Sequence, residues 1–466
     1  MPNFGRKKDI SLKIVIIGNG KVGYHLAERL AKDAHDITIV DRNESALVYS
    51  AEHLDVQCIK GHGASVGVLK KAGIGESDLV IAVTNSDEVN MLCCLVAKNL
   101  GAQYTVARIR DADYFSEVDL LQKELNLEMV INPEHTTALE IYSLIRFPEA
   151  VDIETFYRGQ IELAGFHVVK SDFLVGKTVS HIMKHLDART KVLFCTVQRN
   201  DEVIIPNGSF EFQENDKVYV IGDISGVSSF FKQLGRLMPK IKDVIIAGGG
   251  RIAYYLAKVL EREKIGVKII EKDRKRCAHL SEELNHSLVI CGDGTDQDLL
   301  EMENLSHTGA FVALTDRDED NLIISLYASQ RGVPKVIAKN NRLKYAGILQ
   351  KIGVNSVISP KVITATHILH FVRGLSNSQG NRMLALYQIA EQKADAMEFL
   401  VNHTTWHLKV PFKDLPLKSG VLIAVIVRNG TFIIPKGNSW LEQNDTIIVI
   451  SREHTIYDLN DIFVAG

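Results

Sequence analysis

A strand running into a glycine-rich turn occurs twice in this chain, at equivalent places in a repeat that spans nearly its whole length. The first copy reads LKIVIIGNGKVGYHLAERL from Leu12 and the second DVIIAGGGRIAYYLAKVL from Asp243, which sets Gly18 and Gly248 230 residues apart. Asp41 closes the next strand of the first copy (DITIVD) and Glu271 that of the second (VKIIE), again 230 apart. Further on, VTNSDEVNMLCCLVAKNLGA from Val83 answers LTDRDEDNLIISLYASQRGV from Leu314, and INPEHTTALEI answers ISPKVITATHI. Even the tails pair, with Pro206 lying 229 residues before Pro435. A period this long is no solenoid unit; it marks duplication of a complete two-part module. One glycine fingerprint is weak evidence, whereas two in register within a duplicated frame are not.

Short β-branched runs such as IVIIG, ITIVD, VQCIKG and LVIAVT alternate with helical patterns, as expected of parallel strands buried on both faces. From about Val151 the pattern turns to short strands punctuated by Asn207-Gly208 and Asn215-Asp216, and the second copy makes the same change after SNSQGN. The expected fold class is α/β: two Rossmann-like doubly wound parallel-sheet domains, each followed by a small α+β lobe. The expected boundaries are residues 11–134 and 241–361 for the nucleotide-binding domains and 151–236 and 382–466 for the lobes. Between domain and lobe each copy has a helix apolar on more than one face. Leu139, Ile141, Tyr142, Leu144, Ile145 and Phe147 mark the first, and Ile363, Ile368, Leu369, Phe371, Val372 and Leu375 the second. Such a helix needs cover from two sides, and another subunit is the expected source of one.

Composition excludes several classes. A formal charge of −3 argues against a nucleic-acid-coating protein, and no run approaches the roughly eighteen apolar residues of a spanning helix. The start MPNFGRKKDIS lacks a signal peptide's apolar region, so the expected location is the cytosol, with RKK read as a solvated tail. Six cysteines, with no CxxC and no paired histidine spacing, read as packing residues, so no metal is expected.

The fingerprint carries the chemistry. Of Gly18, Gly20 and Gly23, the first permits the tight turn, the second lets backbone approach a pyrophosphate, and the third lets helix and strand pack closely. Gly248 and Gly250 repeat the first two, with Ala253 in third place. Asn19 and Val22, with Gly249 and Ile252, complete the two turns, whose helix N-termini favour a phosphate. Lys21 and Arg251 follow the second glycines, where a basic chain either reaches a phosphate or is solvated. Asp41 and Glu271 stand where an acid accepts ribose hydroxyls and repels a 2′-phosphate, favouring NAD(H) or an adenine nucleotide over NADP. LVGKTVS at Leu174 is no Walker loop, because Ser171 stands where its first glycine belongs; it reads as a turn into a short helix.

The ordered set of GxGxxG, terminal acid, GDGT-like turn, T(N/D)xDExN and INPE-like segment, followed by the small IIP lobe, resembles the regulator-of-potassium-conductance module. Two such modules in a chain of this length are similar to the regulatory subunits of Trk-type potassium uptake systems, over roughly Leu12 to the C-terminus. The resemblance implies a subunit that is not an enzyme, cytoplasmic and peripheral at the inner face of the cell membrane. It would bind NAD(H) or ATP/ADP and dock beneath a potassium-conducting membrane subunit, as a homo-oligomer, a tetramer forming an eight-module ring. Crossover helices in the family exchange lobes between neighbours. By the same resemblance Arg108 in VARIR faces bound phosphates, where the second copy has Lys339, which keeps the charge and loses the planar fork. Asp293 and Gly294 belong to the turn whose acid takes a hydrogen bond from the adenine amino group, where the first copy has His62 and Gly63. His62 either meets the base or is a neutral replacement. Thr84 and Asn85, with Thr315 and Asp316, end the fourth strands where ribose and base pass, or else cap the next helix. Two sites of unequal preference are expected.

The rival class is an NAD-dependent oxidoreductase with a catalytic group at a subunit interface, for which His135 is a weak candidate. Two copies of domain plus lobe consume the chain and leave no substrate domain. A redox-sensing transcription regulator would need a basic recognition helix, and the sequence offers none.

Overall fold

The apolar runs form the strands of two parallel sheets in the computed structural model. It describes residues 11–33, 35–147, 150–157, 159–187, 190–200, 202–234, 241–341, 354, 356–376, 383–390, 393–452, 456 and 458–464. The basic tail lies outside these residues. In the first copy β1 (Lys13–Ile17), β2 (Asp36–Asp41), β3 (Gln57–Lys60), β4 (Leu79–Ala82), β5 (Tyr104–Arg108) and β6 (Met129–Ile131) take the order β3-β2-β1-β4-β5-β6. Helices α1 (Lys21–Lys32), α2 (Glu44–His53), α3 (Val66–Lys71), α4 (Asp87–Leu100), α5 (Ala112–Ser116) and α6 (Val118–Glu124) make the crossovers, and α7 (Pro133–Arg146) leads out. The register pairs Ile17 with both Val40 and Ala82, and Ala82 with Ala107. The C-terminal ends of β1, β2, β4 and β5 are therefore level, so Gly18, Asp41, Thr84 and Arg108 share one edge, with the order reversing beside β1 as in doubly wound sheets generally.

The first lobe holds β7 (Asp152–Phe156), β8 (Ile161–His167), α8 (Val179–His185), β9 (Val192–Arg199), β10 (Glu202–Ile204), β11 (Lys217–Asp223) and α9 (Ile224–Gln233). Its antiparallel sheet is ordered β10-β9-β11-β8-β7. Thr178 of the rejected Walker-like stretch caps α8 by accepting from the His181 amide, so GKT opens a helix.

The second copy repeats the plan. Strands β12 (Asp243–Ala247), β13 (Gly266–Glu271), β14 (Ser287–Cys291), β15 (Ala310–Ala313), β16 (Lys335–Lys339) and β17 (Ser356–Ile358) take the order β14-β13-β12-β15-β16-β17. They run with α10 (Arg251–Arg262), α11 (Arg274–Glu283), α12 (Gln297–Met302), α13 (Asp318–Gln330) and α14 (Pro360–Ser376). The last lobe is β18 (Met383–Ile389), β19 (Ala394–Leu400), β20 (Val421–Arg428), β21 (Thr431–Ile433) and β22 (Thr446–Ser451), ordered β18-β19-β22-β20-β21, the same topology as the first lobe. Both lobes repeat a forked ion pair, Arg199 to Asp216 and Arg428 to Asp445, each with two N–H···O bonds of 2.8–2.9 Å. Planar bidentate pairing of this kind pins β9 and β20 to the turns that open β11 and β22. Among the described residues no helix is long and apolar enough to cross a membrane.

The doubly apolar helices are covered from within the chain, which corrects the expectation that another subunit supplies one face. Ile141, Leu144 and Ile145 of α7 share a core with Ile252, Leu256 and Leu260 of α10. Reciprocally, Ile368, Leu369 and Val372 of α14 share one with Val22, Leu26 and Leu30 of α1. Covalent linkage gives each copy a high effective concentration of the other, so the apolar stripes close intramolecularly. Leu139 remains 41% exposed. The lobes pack as well: Phe156, Leu163 and Tyr219 share a core with Ala396, Val425 and Ile448, and the Ala390 amide donates to Tyr219 Oη at 3.0 Å.

Candidate functional site

Each glycine turn joins a first strand to a helix that starts without a capping side chain. Gly18 sits at φ +106° and Gly248 at +102°, and a Cβ on either would come within 3.0 Å of the backbone at the end of the fourth strand. That approach is why only glycine serves here. Gly20 and Gly250 have nothing within 4 Å of a would-be Cβ, so the turn is open on its outer side. Above it, α1 and α10 have glycine N-caps, no capping side-chain bond and no acid in the first turn. By contrast α2, α4, α7 and α11 are capped by Asn43, Ser86, Asn132 and Asp273. A phosphate fits this arrangement, because it supplies the acceptors and the negative charge that the helix start lacks. Val22 and Ile252 offer only backbone, their side chains lying in the two inter-copy cores.

The strand-end acids clamp the turns. Asp41 accepts from the amides of Asn19 at 2.5 Å and Asn43 at 2.8 Å, while Glu271 accepts from Gly249 at 2.7 Å and Asp273 at 2.8 Å. A carboxylate has about four acceptor sites, so each acid keeps lone pairs beyond those its turn uses. Asn19 turns inward and donates to Ala46 O and Ser50 Oγ, both at 2.8 Å. The second copy instead ties its Gly249 carbonyl to Arg276 Nε at 2.8 Å.

Thr84 and Thr315 are held by an asparagine six residues on rather than serving as helix caps. Asn90 Oδ1 accepts from Thr84 N at 2.8 Å and Thr84 Oγ1 at 2.7 Å, and its Nδ2 donates to the carbonyls of Thr84 and Arg108. Asn321 makes the same four bonds to Thr315 and Lys339. Ser86 caps α4 in the first copy, and Arg317 makes no side-chain cap in the second. These buried amides lock the ends of the fourth and fifth strands together. In the sequence both asparagines close the T(N/D)xDExN motif, whose Thr-x5-Asn spacing gives their place but not the bonds they make.

Arg108 is 8% exposed; it donates to the Thr84 carbonyl and to Asn85 Oδ1, and its Nε has no hydrogen-bond partner among the described residues. Burial lowers its pKa to about 10, with Arg110 and Arg251 adding to the effect and Glu134 and Asp87 opposing it. Lys339 is likewise lowered by burial, with Asp316 and Asp318 opposing and Lys21 adding. Across the copies, Arg251 adds a minor repulsion to Arg108 and Lys21 to Lys339, beside the burial that sets each shift. Lys21 also lines a cleft of about 370 Å³ with Asp316, Asp318, Glu319, Asn341 and Lys361. Lys361 opens α14 where Glu134 opens α7, so the copies carry opposite charges at this point. Burial raises the Glu134 pKa despite Arg110, Arg108 and Arg251, and Oε2 lacks a hydrogen-bond partner among the described residues. His135 lies with its ring centroid 4.9 Å from Phe115 and 5.3 Å from Tyr255, and burial lowers its pKa. It is packed into the contact between copies.

At the third strand ends the turns are built alike from different residues. The Gly61 amide donates to Asp41 O and the Gly292 amide to Glu271 O, both at 2.9 Å, which seats each turn beside its strand-end acid. Gly63 and Gly294 press against Ile17 and Ala247, the last residues of the first strands. Asp293 Oδ1 accepts from Thr295 N at 2.9 Å and Thr295 Oγ1 at 2.8 Å, and these bonds lower its pKa. His62 takes the same part, its Nδ1 accepting from Ala64 N at 3.0 Å.

The TrkA-N domain family matches residues 14–133 and 244–360, and the TrkA-C domain family residues 163–235. The Trk system potassium uptake protein TrkA of Vibrio alginolyticus is 32% identical over 462 residues, covering 97% of this chain and 98% of that protein. TrkA of Halomonas elongata is 32% identical over 464 residues, covering 98% and 99%. Among solved structures, the GsuK channel bound to NAD aligns with a TM-score of 0.63 at 17% identity, covering 97% of this chain and 78% of that one. The GsuK RCK domain aligns at 0.62, also at 17% identity, covering 97% and 94%.

Proposed function

Because this chain belongs to the family of Trk system potassium uptake proteins TrkA, we propose that it is the nucleotide-binding regulatory subunit of a potassium uptake system. In this reading NAD(H) or ATP/ADP binds at both glycine turns, with Gly18, Gly20, Lys21, Asp41, Thr84 and Arg108 at the first and Gly248, Gly250, Arg251, Glu271, Thr315 and Lys339 at the second. GsuK, which shares the fold, has structures bound to NAD and to ADP. The observation that carries the reading is the pair of glycine turns, each open on its outer side below an uncapped helix start and clamped by a strand-end acid. Because α1 and α10 also share cores with the other copy's crossover helix, phosphates entering at their N-termini couple occupancy to the relative placement of the copies. A ligand biases gating only through such a difference between states.

The subunit works at the cytoplasmic face of the membrane beneath a potassium-conducting partner, without catalysing a reaction. Four chains form a ring of eight modules. Leu92 and Leu95 on α4, 47% and 37% exposed, and Ile323 on α13, 62% exposed, give both copies an apolar face for neighbouring modules. The test is potassium flux through a co-reconstituted membrane partner with nucleotides varied. Flux that responds to nucleotide in the wild type and loses that response in the Asp41→Ala, Glu271→Ala double variant supports the reading. Steady turnover of NADH with a carbonyl substrate would sink it. Leu92→Glu with Ile323→Glu is expected to give a smaller assembly in light scattering.

A further inference from the structure

The two copies present opposite hydrogen-bonding characters at the turn that follows the third strand, beside the strand-end acid where the proposed nucleotide's base would lie. On the reading that both turns bind nucleotides, Asp293 and His62 stand at equivalent positions, each in a turn anchored to its ribose acid and each spending one atom on the backbone two residues ahead. Asp293 uses Oδ1 for that, and as a carboxylate it has only acceptors left. In a neutral imidazole one nitrogen accepts and the other donates, so accepting the Ala64 amide at Nδ1 places the ring proton on Nε2. The nitrogen that remains for a ligand is therefore a donor. An exocyclic amine pairs with Asp293 and opposes His62, whereas a 6-oxo group does the reverse.

We propose that His62 sets base specificity in the first copy, so that this site admits 6-oxopurine nucleotides at least as well as adenine nucleotides while the second copy, through Asp293, selects adenine. The turn itself needs only an acceptor at this position, which histidine and aspartate both supply. The change of residue therefore alters the face shown to the base and leaves the backbone as it is. Purine type, rather than phosphate number alone, then distinguishes the two sites of one chain.

The experiment is calorimetric titration of the full chain with ADP and with inosine diphosphate. Glu271→Ala isolates the first site and Asp41→Ala the second. The expected result is an ADP preference of about tenfold at the second site, the size of one hydrogen bond made or lost. At the first site inosine diphosphate should bind as tightly as ADP or more so. His62→Asp, which retains an acceptor for the Ala64 amide, should move the first site's preference about tenfold toward ADP. Equal ADP preference at both sites, or a His62→Asp ratio unchanged from its parent, overturns the proposal. So does a nitrogen NMR signature placing the His62 proton on Nδ1. Absence of binding by either nucleotide to the wild-type chain would instead remove the nucleotide-regulator reading, and this inference with it.

Discussion

At the scale of single residues, each strand-end acid combines two jobs in one carboxylate. Asp41 holds the glycine turn to the start of α2 and offers its remaining lone pairs outward, as Glu271 does in the second copy. Asp41→Ala is expected to lower nucleotide affinity at the first site by about 10- to 100-fold, the range of a lost charged hydrogen bond or two. Equilibrium dialysis should then show one nucleotide bound per chain at concentrations where the wild type holds two. Glu134 gives a pH signature. Burial raises its folded pKa, so the folded state keeps this proton to higher pH than the unfolded state does. Its contribution to stability is therefore greatest at acid pH and falls as pH rises from the ordinary carboxylate range, about 4.3, toward the raised value. Glu134→Gln lacks that fall. Thermal melts are expected to shift in the variant's favour, relative to the wild type, as pH goes from about 4 to about 7.

At the scale of elements, the asparagine knots matter most. Asn90→Leu removes four hydrogen bonds at once and leaves Thr84 N and Arg108 O to find other partners in a buried place. A loss of about 3 kcal/mol in urea unfolding is expected, and Asn321→Leu should cost a similar amount. Across the copies, Asn132 Nδ2 donates to Tyr255 Oη at 3.0 Å, and that hydroxyl donates to Arg110 O at 3.3 Å. Tyr255→Phe is expected to cost about 1 to 2 kcal/mol by the same measurement. Strands and helices were largely legible in the sequence, because unbroken β-branched runs and 3.6-residue patterns dictate them locally. The roles of Thr84 and Thr315 were not, since what binds their hydroxyls lies a turn of helix away and only the closed fold brings it back.

At the scale of the molecule, the two copies behave as one body. Cut between Leu234 and Ile241, the first copy would expose the α7 stripe of Ile141, Leu144 and Ile145 and the lobe face of Phe156, Leu163 and Tyr219. Contiguous apolar surface of this kind drives association. Isolated halves are therefore expected to self-associate in light scattering, and to form a one-to-one complex when mixed. The duplication, the parallel sheets, the glycine turns and the strand-end acids were set by the sequence alone, because each rests on local patterning or on a backbone conformation that few residues tolerate. Tertiary structure decided what covers the crossover helices and which His62 nitrogen meets the Ala64 amide. The first turns on contacts between residues more than a hundred positions apart, and the second on how one short turn closes. Two glycine turns in register announce the repeat; only the folding of one copy against the other buries the helix that follows each turn.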